Sequence, residues 1–242
     1  MIRRDAAAIA LVALLGASAS SRAPAHEPDD AAPPPKASES LRFEAPPPGS
    51  YELPPIQRVS DYYPLLAHDG TREPLLGLAS DQVALVSFAY LDCTDATGCP
   101  LALATLKRLD HALAERPALA GRARLVTLSI DPARDTPERM AAARRHLAPV
   151  GDWRFLTLET PEALAAVLAD FGQDAVRLRG PDGGDSGRIR HVLKVFLVDA
   201  KGDVRNIYSA GFLFTPILLN DIETVLADAA PQPRAERGAR PR

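Results

Sequence analysis

The sequence predicts one α/β domain with a mixed sheet and helices on both faces, and three observations carry that prediction. The run "VALVSFAYL" (83–91) is continuously apolar, "RARLVTLSI" (122–130) reads as a second buried strand, and each is followed by a stretch with helical character. That alternation belongs to parallel strands buried on both faces. Further on, "HVLKVFLVD" and "DVRNIYSA" are separated only by a Lys201-Gly202 turn, which reads as an antiparallel hairpin. Finally, about 180 residues, 50–229, lie between a proline-rich segment and a polar tail, enough for one domain with a full core.

The elements follow in order. In "YPLLAHDGTREPLL" the Asp69-Gly70 pair is a turn between two short apolar runs, predicting an N-terminal hairpin at the sheet edge. The strand over 83–91 comes next. After Pro100 a helix carries Leu101, Leu103, Leu106, Leu109 and Leu113 on overlapping faces and stops near Pro117. The second buried strand leads into "DPARDTPERMAAARRHL", where Asp135 or Thr136 caps a helix and Pro137 fits its first turn. "WRFLTLE" is a third strand, followed by a helix in "TPEALAAVLADFG" with Thr160 as cap, Pro161 first and Gly172 at the end. The late hairpin and a last helix over 216–227 close the domain. This is a thioredoxin-like order: a mixed sheet flanked by helices, with an extra N-terminal hairpin.

The flanks point to export. "MIRRDAAAIALVALLGASAS" has Arg3 and Arg4, an apolar run over 6–15 and small residues at Ala17 and Ala19, the layout of a secretory signal. That run is shorter than the roughly 20 residues a membrane span needs, so residues 1–19 read as a cleaved signal peptide, and the membrane is reached only through a partner. Ten of the 23 prolines fall between Arg22 and Ser60, so 20–49 reads as a semi-rigid tether, and 230–242 as a disordered tail. A formal net charge of only −3 argues against a nucleic-acid partner. The expected location is the periplasm.

Both cysteines, Cys93 and Cys99, lie in "LDCTDATGCPLA", on the loop from the first buried strand to its helix. Ligand chemistry in such sheets gathers outside the carboxyl ends of the strands. In an oxidising compartment two nearby cysteines form a structural disulfide, a redox pair or a metal site. Cys99 reads as the helix cap with Pro100 in the first helical position, so the positive field of the helix start should lower its thiol pKa.

Four stretches, "FAYLDCTDATGCPLA", "LSIDPARDTPERM", "WRFLTLETPEALAAVLADFG" and "RIRHVLKVFLVDAKGDV", together resemble the Sco/SenC proteins, thioredoxin-fold copper-binding proteins that serve cytochrome c oxidase assembly. The resemblance runs over about 51–226. It implies a copper site, Cu(I) or Cu(II), built from Cys93, Cys99 and His191, with the two cysteines also a redox-active pair. The implied partner is the copper-bearing subunit of the oxidase or another copper chaperone. Two thiolates and an imidazole are a soft donor set that suits Cu(I), and a fourth weak ligand lets it hold Cu(II). Two departures stand out: five residues separate the cysteines where the family has three, and Arg190 precedes the histidine where aspartate is usual.

Of the five histidines, only His191 falls at a predicted strand start on the cysteine side. His68 lies in the hairpin turn, His111 and His146 on predicted helices, and His26 in the tether. In "DPARDTPE", Asp135 reads as a structural cap residue, whereas Asp131 ends a strand on the ligand side and can orient a loop or the histidine. Asp92 and Asp95 flank Cys93, exposed to a partner or to solvent. The alternative is an exported thiol-disulfide oxidoreductase using Cys93 and Cys99 without copper. The spacing is not CxxC, and no proline directly precedes "HVLKVFLVD", where thioredoxin-like reductases place one. Neither cysteine has the threonine three residues before it that a peroxidase uses.

Overall fold

The computed structural model describes residues 44–229. The expected signal peptide, the tether up to residue 43 with His26, and the expected tail lie outside these residues. Nine strands are present: β1 (Gln57–Arg58), β2 (Leu65–Ala67), β3 (Val83–Ala89), β4 (Ala123–Ser129), β5 (Trp153–Leu158), β6 (Ala175–Arg179), β7 (Asp185–His191), β8 (Lys194–Asp199) and β9 (Asp203–Ser209). The helices are α1 (Cys99–Ala114), α2 (Pro137–Leu147), α3 (Leu164–Asp170) and α4 (Thr215–Asp228). Among the described residues no helix is long and apolar enough to cross a membrane.

Seven strands form one mixed sheet in the order β1-β9-β8-β3-β4-β5-β2. β3, β4 and β5 run parallel, with Ala89 level with Ser129 where β3 and β4 end. β8 lies antiparallel to β3 and β9 antiparallel to β8, as the turn at Lys201-Gly202 predicts, with Gly202 at φ +82°. Strand alternation divides the core. Val83 and Leu85 pack with Leu106 and Leu109 of α1 and Leu218 and Ile222 of α4. Ala84, Val86 and Phe88 face the other way, with Val167 of α3 and Phe171 just after it. On that side Phe88, Phe171 and Phe196 meet edge to face, with ring centroids 5.0–5.8 Å apart. Truncating one of these buried rings to alanine would cost about 3–5 kcal/mol.

At the edges of the fold the structure departs from the sequence reading in four places. The N-terminal hairpin has β2 as a true edge strand on β5, but its second arm is a single bridge, Leu66 to Arg72. Pro74 cannot extend that ladder, and the following backbone turns inward, where the N–H groups of Leu75 and Leu76 bond to Asp61. The opposite edge is β1, which the sequence did not announce. The chain also contacts α4 ahead of Ser50: Asn220 Nδ2 donates to the Pro46 carbonyl at 2.7 Å, and Gly49 N–H donates to Thr224 Oγ1 at 2.9 Å. Lastly, His191 does not open the strand that leads to Asp199. It ends β7, which pairs antiparallel with β6 in a separate two-stranded sheet.

Candidate metal centre

The site forms where β3 and β4 end. Beyond Ala89 the chain passes the buried Tyr90 and turns, with Cys93 N–H donating to the Tyr90 carbonyl at 3.2 Å. Asp95 then shapes the loop: its carboxylate accepts from Thr97 N–H and Thr97 hydroxyl at 3.0 and 2.8 Å, and its carbonyl accepts from Gly98 N–H at 2.9 Å. A Cβ on Gly98 would sit 3.3–3.5 Å from Asp95, so the loop closes on itself with little room to spare. Gly98 is the cap of α1, Cys99 its first residue and Pro100 its second, one step displaced from the sequence reading and still within the positions that tolerate proline.

Cys99 is buried, 1% exposed, while Cys93 is half-buried. Burial pushes the Cys99 thiol up to about 12; neighbouring Cys93 also raises it, and backbone hydrogen bonds at Tyr90 and Cys99 oppose this without cancelling it. This reverses the expected lowering. The field of a helix start is worth little against removing a thiolate from water.

His191 arrives from the far side, at the end of β7 and paired with Ala175 of β6. Its Nε2 lies 3.4 Å from Cys99 Sγ, and its ring stands edge-on to Tyr90, with centroids 6.2 Å apart. Nδ1 is buried with no hydrogen-bond partner among the described residues. Burial lowers the His191 pKa, against opposing contributions from the Val192 backbone and the Asp95 carboxylate. The imidazole is therefore neutral at pH 7, the form that ligates a metal. Cys93, Tyr90, Asp95, Arg188 and His191 line one cavity of about 230 Å³.

The structure thus brings Cys99 and His191 into contact and puts Cys93 on the same cavity. Among the described residues no group of three or more His, Cys, Asp or Glu side chains is already set to hold a metal ion. His68 follows β2 at the sheet edge, and His111 and His146 are exposed on α1 and α2. Asp92 is exposed and pairs with Arg139 at 2.6 Å, and Asp95 is also exposed. Asp135 does not cap α2. It is buried, accepting the Ser129 hydroxyl at 2.7 Å and the Leu91 N–H at 3.2 Å, and burial raises its pKa against those bonds. Thr136 takes the cap position without a side-chain bond. Asp131 is also buried and pairs with Arg177 and Arg134.

Sequence reading missed Tyr90, Arg177 and the β6–β7 hairpin. The signal for the hairpin was present in "GPDGG", 180–184, where Gly183 adopts φ +78°. Arg188 and Arg190 add positive charge at the cavity mouth and form no ion pair among the described residues.

Comparison with known proteins places the fold. The fold is similar to Arabidopsis thaliana ScoI with copper bound, at TM-score 0.58 and 18% identity, over 70% of this chain and 99% of that one. Bradyrhizobium japonicum ScoI with copper bound gives TM-score 0.54 and 20% identity, over 71% and 99%. BsSco, a member of the Sco family of cytochrome c oxidase assembly proteins in which a disulfide switch is identified, gives TM-score 0.52 and 21% identity, over 74% and 95%. At such identities the likeness is one of fold, and it bears out the thioredoxin-like mixed sheet. No curated protein matches the sequence. The SCO1/SenC family profile, in contrast, matches residues 57–227, from β1 to the last turn of α4. This chain belongs to the SCO1/SenC family.

Proposed function

We propose that this chain is an exported copper-binding protein with Cys93, Cys99 and His191 as its ligands, and that it serves the copper site of a cytochrome c oxidase. It delivers the metal or prepares the site by thiol reduction. The observation that carries this reading is the contact of Cys99 Sγ with His191 Nε2 at 3.4 Å, across 92 residues of chain. A sulfur and a neutral imidazole nitrogen meeting beside a second cysteine supply the donors that a soft, three-coordinate metal prefers. Copper in the ScoI structures and oxidase assembly in the description of BsSco support the choice of metal and partner. The apolar segment after Arg3 and Arg4 supports export.

Cys93, Cys99 and His191 would hold the metal, and the Cys99 thiol would give up its proton on binding. In the reductive role, Cys93 and Cys99 would form a disulfide while a partner's disulfide takes up the two electrons and two protons they release. The test is copper titration of the reduced and oxidised protein, followed by mass and absorption. The reduced form is expected to take one copper and the disulfide form none. A reduced protein that takes no copper but exchanges disulfides would establish the oxidoreductase alternative instead.

A further inference from the structure

β6 and β7 pair with no strand of the main sheet, so sheet hydrogen bonds do not fix His191 against Cys99. The hairpin is tied down by side chains. Ile189 is buried beneath it, and its N–H meets the Tyr90 hydroxyl at 3.4 Å. The charged tie runs to Asp131, which is 1% exposed. Its Oδ1 accepts from Arg177 of β6 at 2.5 Å, and its Oδ2 accepts from Arg134 at 3.2 Å. Asp185, at the start of β7, closes the loop with Arg134 at 2.6 Å and Arg177 at 3.2 Å. Gly187, at φ +74°, takes a left-handed backbone conformation that favours glycine, with the Arg134 guanidinium beside it. A carboxylate this buried is stable only when paired.

Four residues on, the same turn reaches the other half of the site. Asp135 accepts the Leu91 N–H at the start of the cysteine loop. The two aspartates belong to one rigid unit. Asp131 carbonyl accepts from the N–H groups of Arg134 and Asp135 at 2.9 and 2.8 Å. Ser129 Oγ accepts from Asp131 N–H at 2.9 Å and donates to Asp135 at 2.7 Å.

We propose that the turn from Ile130 to Thr136 is a positioning bracket: Asp131 holds the His191 hairpin through Arg177 and Arg134, while Asp135 holds the cysteine loop through Leu91. The bracket sets the spacing between histidine and cysteines before metal arrives. Its purpose rests on the copper reading given above, but its existence does not. Partners of this kind, which orient a ligand without touching the metal, are worth roughly 10–100-fold in affinity.

The test uses Asp131→Asn, Arg177→Ala, Arg177→Lys and Asp135→Asn in the reduced, metal-free protein, read by amide hydrogen exchange and the His191 imidazole NMR signals. Asp131→Asn and Arg177→Ala should speed exchange across residues 185–191 and shift the imidazole signals while α1 stays protected. Arg177→Lys should restore most of the protection, and Asp135→Asn should expose the Leu91 amide without loosening β7. In copper titrations the first two should weaken Cu(II) binding about tenfold or more and leave Cu(I) binding nearly unchanged. Unaltered exchange and imidazole signals in both Asp131→Asn and Arg177→Ala, or loosening of α1 equal to that of β7, would overturn the bracket. A parent protein that binds no copper would overturn the copper reading alone, because the metal-free measurements still decide whether the bracket exists.

Discussion

His191 Nε2 touches Cys99 Sγ at 3.4 Å, yet the two residues stand on supports that share no hydrogen-bonded ladder: the first turn of α1 and the end of a detached hairpin. One side of the contact can therefore be altered while the other stays in place, so each ligand can be tested separately.

The first test removes the imidazole. His191→Ala leaves both thiols, so Cu(I) should still bind through two sulfurs while Cu(II) affinity falls by more than about 100-fold, beyond the roughly 10–100-fold that outer partners contribute. Sulfur-to-metal absorption should weaken in parallel. Unchanged Cu(II) affinity and an unchanged spectrum in a folded variant would remove His191 from the ligand set.

Thiol chemistry should distinguish the two cysteines. Cys99 is buried with its pKa pushed up to about 12, whereas Cys93 is half-buried on the cavity. Because the thiolate is the reacting species, iodoacetamide at pH 8 should label Cys93 roughly 100-fold faster than Cys99. Timed peptide mass mapping checks this, and equal rates would contradict the burial argument.

Copper loading should release protons. With the Cys99 thiol protonated at neutral pH, metal must displace that proton, so apparent affinity should rise roughly tenfold per pH unit for each proton released. The His191 pKa is lowered from 6.5, so its contribution to this slope should vanish above pH 6.5. Titrations at pH 6.0, 7.0 and 8.0 in competing chelator would show the slope, and a flat profile would exclude a protonated resting thiol.

The domain boundary is testable by truncation. A chain beginning at Ser50 loses the bonds of Pro46 and Gly49 to α4, at about 1 kcal/mol each, and should melt roughly 4–8 °C below one beginning at Glu44. Calorimetry of the two decides whether the folded unit starts at residue 50 or earlier.

The parallel strands, α1 and the β8–β9 hairpin were legible because continuous apolar runs, leucine spacing and a Lys-Gly turn are local signals. Cys93 and Cys99 were legible as a pair from their place behind a buried strand. The burial of Cys99 was not: it packs in one cluster with Phe88, Tyr90 and Ile189, which come together from distant parts of the chain, and no local pattern encodes that. His191 was singled out, but on the wrong element. β6 and β7 are mostly exposed, with only Ile189 of the two strands buried, so they lack the apolar alternation by which strands are recognised. Asp131 read as a residue that can orient a loop or the histidine and Asp135 as a cap; their partners at Arg177 and Leu91 lie more than 40 residues away along the chain, which no local pattern encodes.

The detached hairpin also bears on how such a site can diversify. Since its turn at Pro181–Gly184 is exposed and its strands add nothing to the main sheet, residues can be inserted or exchanged at its tip without disturbing the core. Arg188 and Arg190 sit on that same exposed ribbon beside the ligand. The charge around the cavity can thus drift independently of the scaffold, so substitutions on the β6–β7 ribbon can alter what the cavity attracts while the sheet beneath it stays unchanged.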